Sequence, residues 1–234
     1  MSGVQQSSVS RRLFLAQGAG AVSGGVLLGA FPALAQESSE SEVSPAEDLM
    51  REHGVLKRTL LVYAEISSRL RAGKEFPVKT LTDGAGIIRQ FIEEYHEKLE
   101  EDHLFPRFKK AGKLTDLVDV LLLQHQRGRV LTDRISQLAG DALLKNKEDQ
   151  RKMAGYLDAF TRMYNPHEAR EDTVLFPALH TIMKPAEYDA MGDEFEKKEH
   201  QLFGEEGFEK FVEKVADLER SLGIYDLSKF TPSV

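Results

Sequence analysis

His96-Glu97-Lys98-Leu99-Glu100-Glu101-Asp102-His103-Leu104-Phe105-Pro106 and His167-Glu168-Ala169-Arg170-Glu171-Asp172-Thr173-Val174-Leu175-Phe176-Pro177 read as one motif present twice. Both follow H-E-x-x-E-[E/D]-x-x-L-F-P, with six identical positions and one shared acid. A histidine precedes each copy: 42 residues lie between His53 and His96, and 41 between His125 and His167. The chain therefore repeats a helical hairpin, and self-similarity of this length marks a duplication.

Working outward, each motif sits in a helical pattern. Ser44-Pro45-Ala46-Glu47 offers a capping serine, proline in the first turn and a glutamate three residues past the cap. The first helix is expected from there to about Ala72, with Leu49, His53, Leu56, Leu60 and Tyr63 facing inward. A second pattern runs from about Leu81 to His103, ended by Pro106 and Gly112, with Ile88, Phe91, Ile92, Tyr95, His96 and Leu99 on its apolar side. The third, about Thr115 to Leu138, carries Val118, Leu121, Leu122, His125, Leu131 and Ile135. The fourth, about Asn146 to Val174, carries Met153, Leu157, Phe160, Met163, Tyr164, His167 and Glu171, with Pro166 expected to kink it. No stretch alternates like a strand. The expected fold is all-α, an antiparallel up-down four-helix bundle over 44–182, with a C-terminal helical extension over 183–234. Two amphipathic stretches, about Ala186–Leu202 and Glu205–Leu222, make up the extension.

The N-terminus reads differently. Ser10-Arg11-Arg12-Leu13-Phe14-Leu15 leads into an uncharged Gly- and Ala-rich stretch closing with Ala33-Leu34-Ala35. This resembles a twin-arginine (Tat) export signal over 1–35, which implies the Tat translocase as a partner during export and a periplasmic or otherwise exported mature chain starting near Gln36. An uncleaved leader acting as an anchor is the competing reading. Residues 36–43, rich in Ser and Glu, read as a linker.

Composition narrows the chemistry. With no cysteine, disulfides, thiolate metal sites and thiol nucleophiles are excluded, so any metal must sit on nitrogen and oxygen. A net charge of −7 without a long basic stripe in the mature chain argues against a nucleic-acid partner. His and Glu four residues apart share a helix face, and both motif copies repeat that pairing. Two glutamates buried in a bundle core without compensation would cost several kcal/mol, on the order expected for uncompensated buried charge. A metal centre removes that cost.

The arrangement resembles the haemerythrin-like HHE cation-binding family over about residues 47–180. Position by position, His53, His96 with Glu100, His125, and His167 with Glu171 match the family's ligand pattern, and both Leu-Phe-Pro sequences match as well. The resemblance implies two non-haem iron ions bridged by Glu100 and Glu171, with terminal histidines and room for O2, peroxide or NO. Two departures bear on this. Oxygen-carrying members place a further histidine four residues after the one on helix three, where this chain has Arg129. They also place an aspartate five residues after the helix-four histidine; Asp172 stands there, although repeat symmetry favours Glu171 as ligand. With fewer histidines, redox chemistry or sensing gains over reversible oxygen carriage, and a metal-dependent sensor or iron-storage module without turnover is the alternative. Zinc and manganese also accept imidazole and carboxylate, but six ligands across two ions suit iron better. Glu97 and Glu168 are secondary ligand candidates. His103 is a candidate for the missing ligand, His200 for a cover over the site, and His180 for a structural role.

Overall fold

The computed structural model describes residues 43–234, so the leader and nearly all of the linker lie outside the described residues. Ser44–Val234 forms one compact unit, helical throughout, with no strand among the described residues. Helix α1 spans Pro45–Ala72; the Ser44 hydroxyl accepts from the Glu47 N–H, and Gly73 closes the helix in the left-handed region at φ 65°. Helix α2 runs over 79–111, α3 over Thr115–Leu138, and α4 over 147–178, capped by the Asn146 side chain. The extension forms α5, Pro185–Phe203, and α6, Gly207–Leu222.

The expected inward stripes are the observed ones: Leu49, Leu56, Leu60, Tyr63, Ile88, Phe91, Ile92, Tyr95, Leu99, Val118, Leu121, Ile135, Met153, Leu157, Phe160 and Tyr164 are all buried. They merge into a continuous apolar core. Leu122, Leu131 and Met163 are only half-buried and line its edge.

Two boundaries differ from the sequence reading. Helix α2 does not stop near His103 but continues through Phe105–Ala111 to Gly112. Its continuation depends on a π-helical segment at Glu100–Leu104, after which Pro106 falls in the first turn of a new α segment, where a missing N–H is tolerated. Helix α4 repeats the device, with π geometry at Glu171–Leu175 and Pro177 in the turn that follows. The duplication therefore extends to the backbone. A further π stretch, Ile88–His96, leads into the first motif.

The extension lies against the bundle. Phe211 of α6 stacks on Phe91 with centroids 4.5 Å apart, and Phe203 meets Tyr95 edge-on at 5.5 Å. Arg58 of α1 forms a two-pronged pair with Glu219 of α6, at 3.1 and 2.6 Å.

Candidate metal centre

All six predicted residues converge. His53, His96 and Glu100 form one group of donor atoms within 4.8 Å of one another, and His125, His167 and Glu171 form another. Each of the six is at most 3% exposed, which places the cluster inside the bundle. His53 and His96 approach through their Nε2 atoms at 3.0 Å, and His125 and His167 do the same at 3.2 Å.

The two carboxylates tie the groups together. Glu100 stands 3.8 Å from His96 Nε2 in its own group and 3.4 Å from His125 Nε2 in the other. Glu171 stands 3.1 Å from His167 Nε2 and 3.4 Å from His53 Nε2. Each glutamate thus lies between a histidine of its own helix and one of the opposite hairpin. Asp172 does not displace Glu171: it turns outward, to the far side of the His53 ring.

Every imidazole is also held from behind. The Nδ1 atom of His53 lies 2.7 Å from Asp172, that of His96 2.8 Å from Glu52, that of His125 3.2 Å from Glu101, and that of His167 2.9 Å from Gln124. With these acceptors at Nδ1, each ring is assigned its proton there, leaving an Nε2 lone pair directed inward. Such outer partners fix ring orientation and raise ligand basicity. Sequence reasoning missed this ring of four, yet it had a signal: the residues immediately before His53 and His125 are Glu52 and Gln124, and the residues immediately after the motif glutamates are Glu101 and Asp172.

Both oxygens of Glu100 and of Glu171 are buried without a hydrogen-bond donor, facing four imidazole lone pairs. Such an all-acceptor interior is unstable unless cations or protons enter it. The electrostatics of the cluster favour proton uptake. Burial disfavours a cationic His53, but the Asp172 and Glu171 carboxylates outweigh it and lift its pKa to about 9. Burial, reinforced by the negative charge of Glu171, pushes the Glu100 carboxyl well up. The donor set, two nitrogens and a carboxylate twice over, fits a pair of divalent or trivalent ions of borderline softness.

Of the other candidates, only Glu97 adjoins the cluster, in a group with Glu101 and His125 whose donor atoms lie within 4.8 Å of one another. Arg129, at the position of the absent histidine, extends to Glu97 at 2.7 Å and Glu101 at 2.6 Å, and Tyr164 donates to Glu97 at 2.6 Å. Glu97 is therefore occupied by an arginine and a phenol. Glu168 pairs with Lys57 at 2.6 Å. His103 packs edge-on against Phe195 of α5, 3.6 Å from Glu194, so it supplies no substitute ligand. His200 is exposed and covers nothing, while its neighbour Glu199 is buried with a carboxylate oxygen within 4.8 Å of those of Glu52 and Asp48. His180 packs on Tyr188 at 4.2 Å.

Comparison with known proteins agrees with this geometry. The chain matches the family model described as the hemerythrin HHE cation binding domain over residues 44–179, and again over 116–229. The second match takes in α5 and α6, where no His-x-x-x-Glu pair occurs. Uncharacterized proteins of Mycobacterium tuberculosis and Mycobacterium bovis are 54% identical over 194 residues, covering 83% of this chain and 76% of theirs. No solved structure matches.

Proposed function

The chain belongs to the hemerythrin HHE cation-binding family, and from that premise we propose that it is an exported, non-haem diiron protein that binds or reacts with O2, peroxide or NO. The single observation carrying this reading is that Glu100 and Glu171 each stand between histidines of both hairpins, as carboxylates shared by two ions would. In this reading the four long helices form an antiparallel up-down bundle, His53 and His96 hold one ion, His125 and His167 the other, and both glutamates are shared. An iron pair held by these residues would supply redox chemistry toward a small oxidant. The chain's own residues hold the imidazoles in register through Glu52, Asp172, Glu101 and Gln124. The apolar walls, with Phe176 stacked 5.5 Å from His53 and Phe105 5.5 Å from His125, exclude bulk water. Export rests on Arg11-Arg12 and the apolar stretch after them; a Tat route suits a metal loaded before translocation.

The test is metal content per chain in protein purified without chelator, followed by near-ultraviolet spectra with O2, peroxide and NO. About two irons and a spectral response to at least one of the three are expected. One zinc, no metal, or a loaded protein silent to all three oxidants would sink the proposal.

A sensor or iron-storage role without turnover is the second reading. The observation favouring it is that Glu199 of α5 lies beside Glu52, the partner of His96, so the extension adjoins the centre. Limited proteolysis of residues 186–234 should then differ between metal-free and loaded protein, and identical digestion would count against it.

A further inference from the structure

Four acids of α3 and α4 are engaged by bases from other helices: Asp119 by Lys109, Asp133 by Arg89, Asp158 by Arg71 and Glu168 by Lys57. Arg127, Arg134, Arg162 and Arg170, on the same two helices, are exposed and form no ion pair among the described residues. Arg127 and Arg134 are two turns apart on one face of α3. The Arg134 guanidinium lies over the Tyr156 ring of α4, 5.6 Å from its centroid, so that face borders α4. Arg162 and Arg170, about 12 Å apart by helical rise, extend the basic rim along α4. Half-buried Tyr156 lies at this seam beneath Arg134, and half-buried Met163 follows two turns along the same face of α4.

The repeat shows what such a face accepts. Val55, Val62 and Phe91 occupy the corresponding positions of α1 and α2 to Arg127, Arg134 and Arg162 of α3 and α4, and all three are buried. That face is where α6 sits, with Phe91 stacked on Phe211 and Arg58, between the two valines, bonded to Glu219 and to the Val212 carbonyl. The same helix-pair geometry thus already seats a helix in one half of the molecule. In the other half the face carries arginines.

We propose that the α3–α4 groove docks an acidic amphipathic helix of a protein partner. Its apolar side would lie on Tyr156 and Met163, and its carboxylates would meet the arginine rim, which favours bidentate pairing. On a chain of net charge −7 a local basic groove also selects acidic partners by steering. Gln124, half-buried on the same side of α3, contacts Nδ1 of His167, so a partner seated there stands one side chain from the centre. Docking does not depend on which metal the centre holds.

The experiment uses the full mature chain and a fluorescein-labelled peptide of about 16 residues, with leucines at helical spacing and glutamates elsewhere. Fluorescence anisotropy should show saturable binding that weakens with salt. R127E/R134E should weaken it by about ten-fold or more, as loss of two central charge contacts does, with an unchanged far-ultraviolet circular dichroism spectrum. K110E, at an exposed lysine elsewhere, should leave it unaltered. The proposal is overturned by any of three results: no saturable binding up to about 1 mM peptide, equal binding by R127E/R134E, or arginine-dependent binding of phosphatidylglycerol vesicles in place of the peptide.

Discussion

The two hairpins carry the same His and Glu pattern and differ over much of their outer surface. His125 stands 72 residues after His53, and His167 71 after His96, so each position can be set beside its counterpart. Val55, Val62, Leu81, Ile88 and Phe91 of the first hairpin correspond to Arg127, Arg134, Lys152, Ala159 and Arg162 of the second. The first set is buried beside the C-terminal extension, and the second is exposed. Behind the ligands, a fully buried Glu52 corresponds to a half-exposed Gln124. Leu56 corresponds to Gly128, and Glu93 to Tyr164. The inner His and Glu positions recur in both halves, whereas the outer surfaces differ. One half has become a buttress and the other a face.

The largest expected effect tests whether the halves are independent at all. Because each glutamate reaches both histidine groups, E100A or E171A should empty both metal positions rather than one; retention of one tightly held ion per chain in either variant would separate the halves. Next, E52A should lower metal affinity by about 10–100-fold, as loss of a charged outer partner does, and Q124A by less, since its amide is neutral and half-solvated. Competition with a chelator measures both, and equal effects would show that burial of Glu52 is irrelevant.

Smaller effects probe the packing. A Cβ at Gly128 would lie 2.0 Å from the Tyr164 hydroxyl, so G128A should cost about 1–3 kcal/mol in urea denaturation. An unchanged midpoint would mean Tyr164 can leave Glu97 freely. Glu93, raised to about 7 by burial against the pull of Thr132, binds its proton more tightly folded than unfolded. Its contribution is therefore lost as pH climbs from about 4.5 to about 7. E93Q should flatten that part of the stability profile relative to the parent, and a parallel profile would refute the assignment. Smallest is the pair Gly84 and Gly155, which are repeat counterparts. Gly155 has open space, so G155A should gain about 0.5–1 kcal/mol of helix propensity. At Gly84 a Cβ would meet Tyr63 at 3.3 Å and Leu218 of α6 at 3.7 Å, so G84A should gain less or lose.

The inward stripes and all six cluster residues were legible in the sequence because both follow strict helical spacing, and periodicity is a local property. The outer ring was less legible. Glu52 and Gln124 point at His96 and His167, on the neighbouring helix, so their roles depend on how helices are set against one another. Helix ends failed at Pro106 for a related reason: proline normally interrupts an α ladder, and only the π segment before it makes the interruption harmless. Arg129 looked like a missing ligand, because its engagement with Glu97 and Glu101 on α2 is invisible along α3 itself.

The π segments also speak to ancestry. A π turn amounts to one extra residue inserted into a helix, usually costly and therefore rarely kept without use. Here it begins at Glu100 and again at Glu171, the same letter of each motif. Glu100 and Glu101 meet the two nitrogens of one imidazole, His125, while Glu171 and Asp172 meet those of His53. Since both copies carry the insertion at one place and put it to one use, the simplest history is that a single helical hairpin acquired it first. Two such hairpins, each holding the other's first histidine between its paired acids, would then have made a self-complementary pair before any gene fusion joined them.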